Sequence, residues 1–268
     1  MTAIGILGAE GRMGQTLVAL VAASDSLSLA AAVVQSGSER CGDVAGSLIG
    51  NDALDVRISD DPQAAAAVAD VLIDFTLPDA LANHLSAAVA ANTPLVIGTT
   101  GLDRAEIAAI DQAARQIPLV YAANYSSGIT LMLRLAELAA SALNADYDVE
   151  ILETHHRHKI DAPSGTAKAL GERIASARGV ELDNAAVYAR HGLTGERQRG
   201  DIGIQTLRAG DVVGEHTVMF ASEGERIELT HRASSRQTFA HGALRAARWL
   251  TAQPAGRYDM QDVLGLRG

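Results

Sequence analysis

The chain has 268 residues, 48% of them hydrophobic, and carries a formal net charge of -10. That length supports one or two domains with sizeable cores, and the acidic balance disfavours nucleic-acid binding, which needs cations against a phosphate backbone. Cys41 is the single cysteine, which rules out an intramolecular disulfide and a cysteine-based zinc site and fits a reducing compartment such as the cytoplasm. No apolar stretch reaches the length of a membrane span, and the start of the chain has no basic n-region, so neither a membrane anchor nor a signal peptide is expected.

The first 123 residues alternate short apolar runs with helical patterns. Ile4 to Leu7 reads as a buried strand, Arg12 to about Ala23 as a helix, and Leu27 to Val34 as a second strand. Further strands are expected at Val71 to Phe75, Leu95 to Ile97 and Leu119 to Ala122. Helices are expected between them at Ala80 to Asn92 and Arg104 to Arg115. Pro78, Pro94 and Pro118 mark element starts, where a missing N–H costs little. Such alternation implies right-handed crossovers and a parallel sheet covered on both faces.

After Tyr125 the pattern changes. A long helix is expected over Gly128 to Leu143, a strand over Val149 to Thr154, and a helix over Ser164 to Arg178 stopped by Gly179. From Ile202 to Thr230 strands follow one another through Ala209-Gly210-Asp211 and Glu223-Gly224-Glu225, turns that favour antiparallel neighbours. Phe239 to Leu250 is again helical and suits packing back on the first domain. The fold class is therefore α/β: a Rossmann-like domain, 1–126 completed by 237–268, and an α+β domain with an open mixed sheet, 127–236. Small polar residues at the crossings, Ser126 and Ser234-Ser235, suit hinges.

The first strand ends in Gly8-Ala9-Glu10-Gly11-Arg12-Met13-Gly14 and a helix follows. Glycine there lets backbone approach a pyrophosphate at the helix N-terminus. The spacing is G-x-x-G-x-x-G, with Glu10 where the usual fingerprint has its middle glycine; strand before and helix after favour a dinucleotide site over a plain structural turn. The second strand runs into Val33-Val34-Gln35-Ser36-Gly37-Ser38-Glu39-Arg40, without the acid that NAD-selective sites place on the ribose hydroxyls. Neutral Gln35, Ser36 and Ser38, with Arg12 or Arg40 to meet a 2′-phosphate, predict that NADPH is used at least as well as NADH. The strand ends at Gly98-Thr99-Thr100-Gly101 and Ala122-Ala123-Asn124-Tyr125-Ser126 read equally as further cofactor contacts or as ordinary turns.

Residues 153–166 read Glu-Thr-His-His-Arg-His-Lys-Ile-Asp-Ala-Pro-Ser-Gly-Thr and hold three of eight histidines. They also hold Lys159, one of only two lysines beside 20 arginines, and a lysine can release a proton where an arginine cannot. Three readings compete. A metal site would use His155, His156 and His158, but Arg157 and Lys159 repel a cation, so no metal is expected. A solvated charged loop is the second. The third is an anion-binding catalytic loop, with histidine as proton donor and Arg157 and Lys159 supplying positive potential. Ala162-Pro163-Ser164-Gly165-Thr166 opens a helix whose N–H groups suit a carboxylate, although Ser164 fits an N-cap equally well. Asp161 orients a neighbouring cation or caps the loop. The segment Arg190 to Arg199 suits either a lid or a plain surface loop.

This segment resembles the signature E-x-H-H-x-x-K-x-D-x-P-S-G-T of the dihydrodipicolinate reductase family. Gly11-Arg12-Met13-Gly14, Ile73-Asp74-Phe75-Thr76, Gly98-Thr99-Thr100-Gly101, Ala123-Asn124-Tyr125-Ser126 and Arg208-Ala209-Gly210-Asp211 match it in order, across nearly the whole chain. The resemblance implies NADH- or NADPH-dependent reduction of 4-hydroxy-tetrahydrodipicolinate, with loss of water, in the diaminopimelate route to lysine. It implies that His155 is the proton donor/acceptor and Lys159 a second donor. It implies that His156, Gly165 and Thr166 bind substrate. It implies that Gly8, Ala9, Glu10, Gly11, Arg12, Met13, Gly98, Thr99, Thr100, Ala122, Ala123, Asn124 and Tyr125 bind cofactor. It also implies a cytoplasmic homotetramer assembled through the substrate-domain sheets. Val34 and Gln35 depart from the acidic and basic pair some members carry there, which bears on cofactor choice. The rival readings are a related two-domain dehydrogenase acting on an amino-acid-derived imine or carbonyl, and a non-catalytic dinucleotide sensor.

Overall fold

Ala3 to Leu7 are too apolar to face water on either side, and they form an interior strand of a parallel sheet. In the computed structural model, which describes residues 1–51 and 53–267, the first strand β1 spans Thr2–Leu7, with Ile4 and Ile6 fully buried. Gly268, the last residue of the expected C-terminal completion, lies outside the described residues. Helix α1 (Arg12–Ala22), strand β2 (Leu27–Val33), the short β3 (Ile58–Ser59) and helix α2 (Pro62–Val68) follow. Then come β4 (Val71–Asp74), α3 (Pro78–Ala91), β5 (Leu95–Ile97), α4 (Arg104–Ala113) and β6 (Pro118–Tyr121). Pro78 is the first residue of α3 and Pro118 the first of β6, the positions where a proline removes no needed hydrogen bond. Asp103 caps α4 and Glu106 returns the bond to its backbone, a reciprocal box that fixes the helix start.

The second region begins with α5 (Ser127–Leu143), β7 (Asp148–His155), α6 (Gly165–Ala177), α7 (Leu182–Ala185) and β8 (Ala186–Val187). It continues through β9 (Ile202–Arg208), β10 (Gly214–Ser222) and β11 (Glu225–Ala233). The chain closes with α8 (Gln237–Leu250), β12 (Gly256–Tyr258) and α9 (Met260–Leu264). Two compact units result: Met1–Ser127 with Gln237–Gly268, and Gly128–Arg236.

The first unit holds a seven-stranded sheet in the order β12-β6-β5-β4-β1-β2-β3, every pair parallel. Chain order reverses between β1 and β4, so the carboxyl ends of these neighbours open a crevice. One face packs Ile4, Ile6, Ile73 and Val96 with α1 and α8; the other packs Leu7, Leu72, Leu95 and Ile97 with α3 and α4. Each such side chain, fully buried, contributes about 1.5–3 kcal/mol.

The second unit holds a mixed sheet, β11-β10-β7-β9-β8, with α5 and α6 against one face over Val149, Ile151, Ile204 and Phe220. Glu223 and Gly224 form a two-residue hairpin between β10 and β11, as the sequence suggests. The turn Ala209-Gly210-Asp211 does not. β7 lies between β9 and β10, parallel to the first and antiparallel to the second. A connection of five residues reaches about 16 Å, enough to pass over one strand and cover two strand spacings of about 5 Å each. The buried alternation of β7 then gains partners on both edges. The turn is used locally instead: Ala209 N–H donates to the His155 carbonyl and Arg157 N–H to that of Gly210.

Candidate active site

The dinucleotide candidates converge at the crevice in the first unit. Gly8 and Ala9 donate backbone N–H to the Val33 carbonyl, which folds the turn over the end of β2. Gly8 has φ of 78°, and a Cβ on Gly14 would come within 2.1 Å of the Gly8 carbonyl oxygen, so α1 meets β1 at a distance only glycine allows. Gly11 is the N-cap of α1 and no side chain caps the helix. Arg12 and Met13 therefore begin a helix whose first-turn N–H groups suit a pyrophosphate.

The neighbouring strand ends complete the crevice. Asp74, fully buried at the end of β4, accepts from the Thr76 hydroxyl at 2.6 Å, from His84 Nδ1 at 2.8 Å and from the Thr99 hydroxyl at 3.3 Å. Gly98 N–H donates to the Asp74 carbonyl, leaving Thr100 exposed beyond it. Ala122 and Ala123 leave β6 without bulk, and Asn124 Oδ1 accepts the Ser126 N–H, fixing that bend. Tyr125 is turned inward: its hydroxyl donates to the Ile97 and Val120 carbonyls at 2.8 and 3.1 Å. Burial raises its pKa well above the ordinary value. Its side chain holds the strand ends together, and its backbone carbonyl packs against Gly242 of α8. The residues present thus fit a dinucleotide: an uncapped helix start, close backbone and small strand-end residues.

In the second unit the chemistry starts from Glu153, 0% exposed on β7. Such a carboxylate survives only if fully paired. Arg208 of β9 grips it with two nitrogens, at 2.9 and 3.0 Å. Ser164 N–H adds a bond at 2.9 Å and the Thr206 hydroxyl one at 3.2 Å. The fifth partner is His155 Nδ1, at 2.5 Å. Burial pushes the Glu153 carboxyl upward, but the Arg208 and His155 bonds hold it below the usual range. An ionised carboxylate accepts only, so His155 donates from Nδ1 and keeps Nε2 for chemistry. Gly214 of β10 stands against that nitrogen; a Cβ there would lie 3.1 Å from Nε2.

Burial lowers the His155 pKa; Glu153 opposes the shift, while the charges of Lys159 and Arg208 add to it. Burial thus favours the neutral ring. Lys159 places its ammonium 2.8 Å from Asp161, the cation-orienting role expected for that aspartate. His156 follows on the same turn, its carbonyl accepting the Lys159 N–H, with its Nδ1 buried and without a hydrogen-bond partner. Ser164 is the N-cap of α6, accepting from Ala167 N–H at 3.2 Å. Gly165 beside it is exposed, with open space where a Cβ would point, and Thr166 follows.

Sequence reading placed the signature but missed its supports. Arg208, Thr206 and His216 lie about fifty residues downstream, and only strand pairing brings them to Glu153. His216 of β10 bonds Ser164 Oγ at 3.1 Å and stacks edge-on against His155, with ring centres 5.2 Å apart. It is 4% exposed, and desolvation, then the nearby His155, lowers its pKa to about 4. Between that value and the unfolded value near 6.5, the unfolded chain binds a proton the folded chain excludes. Stability therefore falls as pH drops through this window, by roughly 2 kcal/mol at pH 5 relative to neutrality. Urea unfolding should show this slope, and His216→Gln should flatten it; an unchanged slope contradicts the assignment.

The sequence model for the family "Dihydrodipicolinate reductase, N-terminus" matches residues 2–125, and that for "Dihydrodipicolinate reductase, C-terminus" matches residues 128–264. A 4-hydroxy-tetrahydrodipicolinate reductase from Alkalilimnicola ehrlichii is 58% identical over 265 residues, 99% of each chain. One from Pseudomonas fluorescens is 53% identical over 268 residues, 100% of each. A dipicolinate-bound dihydrodipicolinate reductase from Paenisporosarcina sp. superposes with a TM-score of 0.77 at 24% identity, covering 98% of each chain. An amine dehydrogenase from Mycobacterium smegmatis gives 0.56 at 14% identity, over 96% of this chain and 93% of that one, and shares the fold alone.

Proposed function

The chain belongs to the dihydrodipicolinate reductase family, and from that premise we propose that it reduces 4-hydroxy-tetrahydrodipicolinate to tetrahydrodipicolinate, with loss of water, in the diaminopimelate route of lysine biosynthesis. The observation that carries the reading is the buried Glu153, which presents His155 through Nδ1 beside Lys159 and the open start of α6.

The cofactor is a nicotinamide dinucleotide, NADH or NADPH, held by Gly8 to Met13, Gly98 to Thr100 and Ala122 to Tyr125. Loss of the 4-hydroxyl with a C5 proton, as water, leaves a C4=C5 bond conjugated to the imine, and the reduced nicotinamide, when bound, would supply a hydride to C4 of that ring. The electron density so displaced toward the ring nitrogen and its adjacent carboxylate is met by a proton from this chain. Lys159, its amine 2.8 Å from the Asp161 carboxylate, and His155, whose Nε2 is left free by the Glu153 bond at Nδ1, are placed to supply it. Gly165 and Thr166, at the positive end of α6, hold one substrate carboxylate, and His156 holds the other end. Mass spectrometry tests this: with reduced cofactor the cyclic intermediate is converted to tetrahydrodipicolinate. No conversion, with turnover of aspartate semialdehyde instead, would favour the related-dehydrogenase reading.

The protein works in the cytoplasm as a homotetramer joined through the second unit's sheet. Support comes from Leu152 and Leu207, 42% and 50% exposed on the sheet face away from α5 and α6. Light scattering should give a tetramer, and Leu152→Arg with Leu207→Arg a smaller species; a wild-type monomer contradicts this. Among the described residues no helix is long and apolar enough to cross a membrane.

A further inference from the structure

Val34 and Gln35 leave the end of β2 without the acid that usually meets the ribose hydroxyls. The fold supplies one from elsewhere. Glu10, in the turn after β1, reaches the loop that follows β2 and accepts the Ser38 hydroxyl at 2.7 Å through Oε2. Ser36, in the same loop, donates to Asp60 at 3.1 Å, just beyond β3. Both serine hydroxyls of this loop thus face carboxylates. Arg57 donates to the Gly42 carbonyl at 2.9 Å, and Arg40, one of the two cations the sequence offers for a 2′-phosphate, lies 3.5 Å from Asp43. The other, Arg12, is the first residue of α1, beside the helix end that suits the pyrophosphate.

We infer that Glu10 selects the cofactor: its carboxylate accepts from an adenosine ribose hydroxyl and repels a 2′-phosphate, so NADH is preferred over NADPH. The inference rests on reading residues 8–13 as the dinucleotide site, and it reverses what the end of β2 alone suggests. A carboxylate accepts at both oxygens, so Ser38 on Oε2 orients the group and leaves Oε1 for a ribose hydroxyl. A phosphate monoester adds about two negative charges. Placed beside Glu10 and Asp60 it meets two carboxylates with one arginine already engaged, which costs more than the lost hydrogen bond.

The test measures Kd by reduced-nicotinamide fluorescence and kcat/KM for NADH and NADPH, on wild type, Glu10→Gln and Asp60→Asn. Wild type should favour NADH about tenfold or more by both measures, and Glu10→Gln should erase about tenfold of that ratio, chiefly by tightening NADPH. Asp60→Asn should move the ratio the same way by less. A wild-type preference for NADPH, or a ratio unmoved by Glu10→Gln, overturns the inference alone. Failure of both nucleotides to bind wild type overturns it together with the dinucleotide reading.

Discussion

Replacing His155 with Gln, or Lys159 with Ala, lowers kcat by about 10²–10⁴ and leaves cofactor Kd unchanged, the loss expected when a positioned proton donor is removed. The asymmetry follows from the architecture. Both side chains belong to the unit spanning Gly128–Arg236, whereas the Gly8 to Met13 turn is built from β1, β2 and α1 in the other. Lys159→Arg separates charge from proton transfer: it keeps the cation beside Asp161 but surrenders no proton, so kcat stays low. Steady-state kinetics with cofactor titration reads all three variants. Near-native kcat in both His155→Gln and Lys159→Ala removes these residues from the chemistry.

Glu153→Gln has an effect of the same order with a different signature. Every partner of the carboxylate is a donor: His155 Nδ1, two Arg208 nitrogens, Ser164 N–H and the Thr206 hydroxyl. An amide brings two N–H groups into this set. In place of Oε1 they oppose Arg208, the Ser164 N–H and the Thr206 hydroxyl; in place of Oε2 they oppose Arg208 again and face His155, where they accept no proton from Nδ1 and force the ring to carry it on Nε2. The second choice reverses what His155 presents, and in a comparable triad such a tautomer change costs about 10⁴ in kcat. Stability falls too, by about 3–5 kcal/mol, because the Arg208 charge loses its buried carboxylate and keeps only neutral acceptors. Adding Arg208→Met removes that stranded charge, so the double variant regains most of the stability but not the rate. Nitrogen chemical shifts of the His155 ring report the tautomer directly: Nδ1–H in wild type, Nε2–H in the variant. Recovery of rate along with stability would make Glu153 a structural residue only.

What the sequence made legible was whatever is local. The G-x-x-G-x-x-G turn is short-range chemistry between a strand and a helix, and β1, α1 and β2 fall within two residues of their expected bounds. The run from Glu153 to Thr166 compresses a strand end, a cation, an aspartate and a helix start into fourteen neighbours, so its parts were visible together. Short elements were not: four of the seven residues of α2 are alanine, with no apolar rhythm to mark a face, and β12 has three residues. Nor were features that depend on pairing. β9 sits parallel to β7 although a glycine turn precedes β10, and that choice brings Arg208 and Thr206 to Glu153. The Glu10 carboxylate reaches Ser38 across the Gly8 turn, a juxtaposition that 28 residues of separation conceal.

The most direct measurement follows the hydride itself. The enzyme is given reduced cofactor carrying deuterium at the transferable nicotinamide position together with the cyclic intermediate, and the product is examined by mass spectrometry and NMR. The account predicts one deuterium per product molecule, at C4, with one cofactor oxidised per turnover. Product without the label, or label at another ring carbon, would contradict it.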